Sequence, residues 1–259
     1  MMNTEQLISI ISYIKNEVSK RYAGKVIYVT VSGAHLYGFL SKDSDVDFRG
    51  CFTANPNLFL GLNMPKMNFD CVNPYDISMM ELAKEIKLIL AGNCNILEHV
   101  FSTPFYTTPE FVEMRDIAYS CLGKKGAYNS YRGMATSNYK KFILGGKQSF
   151  KKYLYVFRGL MAGRYFLETG MIEPDINKLN AVYKFPEIKM LIKAKTEGNE
   201  NGYKEISNSG KLEELIQYCF QKIDVAYEKS KIPETPDKKA TVKMNSFLVK
   251  LRKDMLDDD

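Results

Sequence analysis

Asp45 and Asp47 stand one residue apart, shortly after the small-residue turn Ser32-Gly33-Ala34, and this spacing suits a divalent-cation site. Residues 26–31 are β-branched and aromatic with no breaker, so they read as a buried strand ending at Ser32-Gly33. A second strand beginning near Ser44 has a side-chain period of two, which puts Asp45 and Asp47 on one face and Val46 on the other. Neighbouring ionised carboxylates repel and raise one another's pKa, and a hard cation between them resolves the conflict. Mg²⁺ takes about six oxygens at roughly 2.0–2.1 Å, one or two of them from carboxylates and the rest from water and substrate phosphates. Metal-assisted polyphosphate chemistry is the functional reading. On the residues alone, a solvated turn built from Asp43, Ser44, Asp45 and Asp47 is the competing one.

The string Ser32-Gly33-Ala34-His35-Leu36-Tyr37-Gly38, followed by Ser41 to Gly50 with Asp45, Asp47 and Arg49, resembles the nucleotidyltransferase superfamily that includes DNA polymerase β. It is most similar to the RNA-repair-associated group of predicted nucleotidyltransferases called RlaP. Counterparts continue along nearly the whole chain, at Asp76-Ile77, Gly92-Asn93, Asn95, Leu97-Glu98, Lys151-Lys152-Tyr153, Arg158, Glu168, Gly170 and residues 232–237. The resemblance implies transfer of a nucleoside monophosphate from an NTP to an acceptor, with Mg²⁺ or Mn²⁺ held by Asp45, Asp47 and a third acid. Asp76, which opens a predicted strand after the Asn73-Pro74 break, is the candidate; Glu81 and Glu98 are its rivals, Glu81 suiting a helix start. The nucleotide's phosphates are expected at Ser32, Gly33, Ala34, His35, Tyr37, Gly38 and Ser44. One departure stands out. The family's Gly-Ser turn is Gly33-Ala34 here, which removes a phosphate-bonding hydroxyl and leaves backbone N–H groups, Ser32 or Ser44 to replace it.

Charge is distributed unevenly. Residues 1–119 hold 10 Lys and Arg against 13 Asp and Glu, whereas residues 120–259 hold 26 against 17, so the excess of positive charge lies in the second half. No acid occurs between Asp116 and Glu168, while basic residues interleave there with Tyr and Phe, a pattern that suits phosphate neutralisation and base stacking. On a helix, Lys151, Tyr155 and Arg158 share one face at i, i+4 and i+7. With Lys152 they are the expected contacts to a triphosphate or an RNA backbone, while Phe142, Phe150, Leu154 and Phe157 read as core.

Hydrophobic content of 45% and charged content of 25% fit a globular protein with ample core. No apolar run reaches the eighteen or so residues of a membrane span, and the first 20 residues read as an amphipathic helix outside a sheet rather than a signal peptide. Five cysteines without a Cys-x-x-Cys argue against zinc or a disulfide framework and for a reducing, cytoplasmic setting. His99 reads as a satisfied, partly buried residue.

The elements that must position these residues follow from periodicity. They are helix 4–21, strand 26–31, short helix 34–40, strand 44–53, a helical turn near 56–60, strands 67–72 and 75–80, helix 81–91 and a helical segment 94–101. From Pro109 the pattern turns helical, with long helices over 128–145, 149–170 and 212–230, a looser stretch over 196–210, an extended link over 230–237 and a last helix over 239–253. The expected fold is α+β, a small mixed β-sheet nucleotidyltransferase domain (1–118) followed by an all-helical, basic domain (119–259) closing the nucleotide cleft. The leading functional expectation is a metal-dependent nucleotidyltransferase acting on RNA, a tRNA end or a broken strand, with NTP and RNA as partners and no membrane contact. Two alternatives stand beside it: modification of a protein or small-molecule hydroxyl, and a degenerate enzyme that only binds nucleotide or RNA.

Overall fold

The computed structural model describes residues 4–41, 44–62, 64–73, 75–197 and 209–257. Its N-terminal half is a five-stranded mixed sheet in the order β3-β4-β2-β1-β5, with β1 Lys25–Ser32, β2 Asp47–Thr53, β3 Asn68–Cys71, β4 Asp76–Glu81 and β5 Tyr106–Thr107. All neighbours are antiparallel except β2 and β4, which run parallel. That parallel pair matters for function, because strands running the same way start at the same edge of the sheet.

Each sheet face is covered by the helices the apolar pattern demands. Helix α1 (Thr4–Tyr22) presents Ile10, Ile14, Val18 and Tyr22 at four-residue spacing and closes one face over Val26, Val29, Phe48, Phe52, Phe69 and Ile77. On the other face, Tyr28 and Cys51 meet α3 (Leu82–Leu90), α4 (Cys94–Phe101) and α5 (Pro109–Ser120). Glu81 caps α3 by accepting from the Ala83 N–H at 2.7 Å, the role its position at a helix start suggested.

The second half consists of helices α6 (Lys124–Asn138), α7 (Phe150–Thr169), α8 (Ile176–Tyr183), α9 (Pro186–Glu197), α10 (Ser209–Lys229) and α11 (Lys238–Asp257). The helix expected over 128–145 starts earlier, at Lys124, and its last part, Tyr139–Leu144, is wound as a π-helix. Most of the looser stretch expected over 196–210 lies outside the described residues. Helix α7 is the central element, flanked by α6, α8, α9 and α10. At Gly163 it comes so close to Tyr131 of α6 and Ile223 of α10 that a Cβ would collide with both. The link over 230–237 is pinned, because the Pro233 and Glu234 carbonyls accept from the Lys124 and Lys125 N–H groups at the start of α6, at 2.9 and 3.2 Å.

A single apolar cluster runs from Ile27, Tyr37 and Phe39 through Tyr153 and Phe157 to Met244 and Phe247, so the two halves share core. Helix α11 returns to the sheet half, where Arg252 donates to Glu81 at 3.1 Å and lies 4.3 Å over the Phe59 ring. Among the described residues no helix is long and apolar enough to cross a membrane.

Under the sheet, Glu85 is buried and accepts from the Tyr28 hydroxyl at 2.5 Å. Burial pushes its carboxyl up to about 7, opposed by the Tyr28 and Cys51 hydrogen bonds. A carboxyl raised in the folded state binds its proton there when the unfolded chain has already lost it, so stability falls as pH rises from about 4.5 to 7. Glu85→Gln is expected to flatten that part of the urea-unfolding profile against pH. An unchanged slope would show that Glu85 does not titrate in this window.

Candidate active site

Three strand ends meet at one edge of the sheet. Ser32, the last residue of β1, pairs in register with Asp47, the first of β2, and the parallel β2–β4 pairing sets Asp47 beside Asp76, the first of β4. Gly33 follows at φ +61°, where a Cβ would run into the Asp47 carboxylate, so both the turn and the close approach require glycine. Asp45 precedes the strand and is exposed, while Val46 packs with Phe48 in the cluster under α1. Strand β2 begins at Asp47 rather than near Ser44, so Asp45 lies ahead of the strand expected to carry it.

The alternation along β2 brings Arg49 to the carboxylate face. Its guanidinium donates to Asp76 Oδ1 at 2.9 Å, to Asp47 Oδ1 at 3.3 Å and to the Phe48 carbonyl at 2.8 Å, bridging the two acids. With the Asp47 and Asp76 side chains 26% and 45% exposed, the bridge is open to solvent rather than sealed. Burial is the main cause that pushes the Asp47 carboxyl above its usual range; Arg49 opposes it, Asp76 adds to it and Lys151 opposes it again. Burial and the neighbouring Asp76 thus outweigh Arg49 and Lys151 at Asp47. Among the described residues no three Asp, Glu, His or Cys side chains gather tightly enough to cage a metal unaided. Two carboxylates completed by substrate oxygens and water are what Mg²⁺ accepts, and the raised Asp47 carboxyl is the feature such an ion would relieve.

The turn expected to meet the phosphates is α2 (Gly33–Tyr37), closed by Gly38 at φ 79°. Ala34 and Tyr37 turn into the core, so a hydroxyl at position 34 would enter the apolar cluster rather than reach a phosphate. The hydroxyls expected to compensate are engaged elsewhere. Ser32 Oγ is 2.9 Å from His99 Nε2, and Ser44 Oγ pairs with Ser41 Oγ at 2.9 Å and accepts from Lys195 Nζ at 3.2 Å. His99 is neutral, since burial pushes its pKa down to about 3, helped by Arg49 and Arg158. His35 is half-buried, and its Nε2 is enclosed with no hydrogen-bond partner among the described residues. Gly38 serves packing, for its carbonyl accepts from Asn177 Nδ2 at 2.5 Å and a Cβ would strike Asp175 and Asn177 at the start of α8.

Of the helical residues, Lys151 reaches the site electrically, since its charge lowers the Asp47 carboxyl. Lys152 lies 3.9 Å over the Phe142 ring, and its pKa is lowered by burial and by the nearby charges of Lys151 and Lys141. Tyr155 packs edge-on against Tyr37 and Phe39, at ring distances of 5.9 and 5.5 Å, at the Gly33–Tyr37 turn. Arg158 departs from expectation. It is 1% exposed, donates to Glu98 at 2.5 Å and sits 3.8 Å over the Tyr37 ring, so it supports the turn from below instead of facing a phosphate. The i, i+7 spacing from Lys151 was a sound helical reading, but helices cover both sides of α7 at that depth. The Arg158 pair also removes Glu98 from the contest for third acid.

Sequence reasoning missed two site residues. Arg49 was visible in principle, because the period that aligns Asp45 with Asp47 includes it. Lys195 was not, because it arrives from α9, 150 or so positions away; only 4% exposed, it donates to Ser41 Oγ at 2.5 Å and fixes the segment ahead of Asp45.

Gly33→Ala is expected to cost on the order of 1–3 kcal/mol in urea unfolding, from the left-handed backbone and the collision with Asp47. Gly133→Ala, in open space on α6, should match or exceed wild-type stability. Equal stability of the two variants would contradict the close Gly33–Asp47 packing.

A family model described as the RNA repair pathway DNA polymerase beta family, RlaP, matches residues 10–250. The chain is also 26% identical over 240 residues to a protein of Bacillus subtilis (strain 168) named uncharacterized protein YcgL, covering 90% of this chain and 91% of that one. The matched span takes in the convergent strand ends, the Gly33 turn and the helical half alike, and the chain belongs to the RNA repair pathway DNA polymerase beta family, a group of polymerase-β-like nucleotidyltransferases.

Proposed function

We propose that this chain transfers a nucleoside monophosphate from an NTP to an RNA acceptor, with Asp45, Asp47 and Asp76 holding Mg²⁺ or Mn²⁺. The observation that carries the reading is the side-by-side start of β2 and β4, which sets Asp47 against Asp76 directly beside the Gly33 turn. Two such ions, when bound, supply Lewis acidity to the attacking and leaving oxygens.

The chain's own residues do the rest. The Gly33 turn lets backbone approach the triphosphate where any side chain would obstruct it. Asp47 and Asp76 orient oxygens from one sheet edge, and exposed Asp45 adds ligand capacity at the mouth. Arg49 is bridged to both acids, and were those carboxylates to hold a cation its guanidinium would be able to turn to a phosphate oxygen. Lys151 offsets charge that builds on the departing pyrophosphate, with Lys152 and Lys141 adding to the positive field around it. The polymerase-β-like family and the basic second half favour RNA over a small hydroxyl acceptor.

Incubation with labelled NTPs, Mg²⁺ and bulk tRNA tests this directly. Wild type is expected to label RNA and to lose labelling with EDTA. Asp47→Asn should reduce it on the order of 10²–10³-fold or more while retaining the fold by circular dichroism. Wild type that binds NTP normally and labels nothing excludes RNA as acceptor. Asp47→Asn that binds NTP as well as wild type, with neither protein showing turnover on any acceptor, favours a binding protein instead.

A further inference from the structure

The C-terminal ends of α7 and α10 border an open-sided cleft of about 690 Å³, separate from the carboxylate site. Its lining carries Arg164, Lys222, Lys229 and Lys231 against one acid, Glu168. That acid is already engaged, with Arg164 at 2.7 Å and the Tyr183 hydroxyl at 2.9 Å. Among the described residues none of Lys222, Lys229 and Lys231 meets a carboxylate within ion-pair distance, and Lys222 Nζ lies 4.9 Å over the Tyr218 ring.

A simpler role for these cations is to satisfy the carbonyls at the end of α7. The local hydrogen bonds make that unnecessary. The Tyr165 carbonyl accepts from Thr169 Oγ1 at 2.7 Å, the Phe166 carbonyl from the Gly170 N–H at 2.7 Å, and the Leu167 carbonyl from Ser230 Oγ at 2.7 Å. The lysines therefore leave a concave surface with an excess of positive charge, which concentrates field lines on an anion.

We propose that this cleft is a phosphodiester-binding anchor for the RNA acceptor, an inference that rests on the RNA reading above. Helix α7 sets its distance from the chemistry. Lys151, in its first turn, acts on Asp47, while Gly170 closes the far end beside the cleft, and 20 residues of helix span about 30 Å. An acceptor held in the cleft and reaching the carboxylates must bridge that distance of about 30 Å, further than a dinucleotide extends. The anchor thus selects long or structured RNA over a dinucleotide.

The test is fluorescence-anisotropy binding of labelled bulk tRNA across a salt series. Lys222→Ala/Lys229→Ala/Lys231→Ala is expected to weaken binding at least tenfold and to flatten the dependence of log K on log salt by roughly two to three units. Binding of a fluorescent ATP analogue should be unchanged. The control is Lys238→Ala/Lys239→Ala/Lys243→Ala, the same charge change on exposed positions of α11, which should bind tRNA within about twofold of wild type. Wild-type affinity in the cleft variant, or an equal loss in the control, overturns the anchor while leaving the RNA reading intact. Failure of wild type itself to bind tRNA overturns both.

Discussion

Two carboxylates that begin parallel neighbouring strands cannot avoid each other, and the rest of this molecule is arranged around Asp47 and Asp76 being so placed. Their repulsion is partly met by Arg49, which reaches both. It is not fully met, since burial and Asp76 still raise the Asp47 carboxyl against Arg49 and Lys151. Under the function proposed above, an open pair of carboxylates of this kind would suit a cation whose remaining ligands come from a phosphate chain. A fully satisfied, sealed salt bridge in the same place would have had no such use.

Precision at that edge depends on the helical half. Lys195 of α9 holds Ser41 and Ser44, Asn177 of α8 holds the Gly38 carbonyl, and Arg158 of α7 supports the Tyr37 ring. These contacts reach Ser41, Ser44 and the Gly33–Gly38 turn, so the sheet carries the acids and the helices hold residues beside them. The Glu98–Arg158 pair is costly to bury, and breaking it by removing one partner would strand a charge in the core. Its position under the Gly33–Tyr37 turn ties helix packing to the geometry of the candidate site.

Much of this was legible in the chain. Strand and helix positions through residue 101 follow the apolar periodicity closely, and Asp76 was placed at a strand start by the break before it. The α+β class came from the same change in period near Pro109. What escaped was tertiary. Strand β5 is two residues long and exists only because Val29 and Tyr28 offer an edge. Arg158 looked like a surface cation because periodicity assigns a face without saying what covers it. Ser32, Ser44 and Ala34 were read as phosphate contacts from their place in a motif, whereas His99, Lys195 and the core claim them through partners distant in sequence.

The central claim is that Asp47 shares a cation with a nucleotide's phosphate tail, and Mn²⁺ binding followed by electron paramagnetic resonance measures it most directly. In the presence of a non-hydrolysable ATP analogue, wild type is predicted to take up Mn²⁺ and Asp47→Asn to lose most of that binding. Equal Mn²⁺ uptake by the two proteins, or nucleotide binding by wild type without any bound Mn²⁺, would contradict the account.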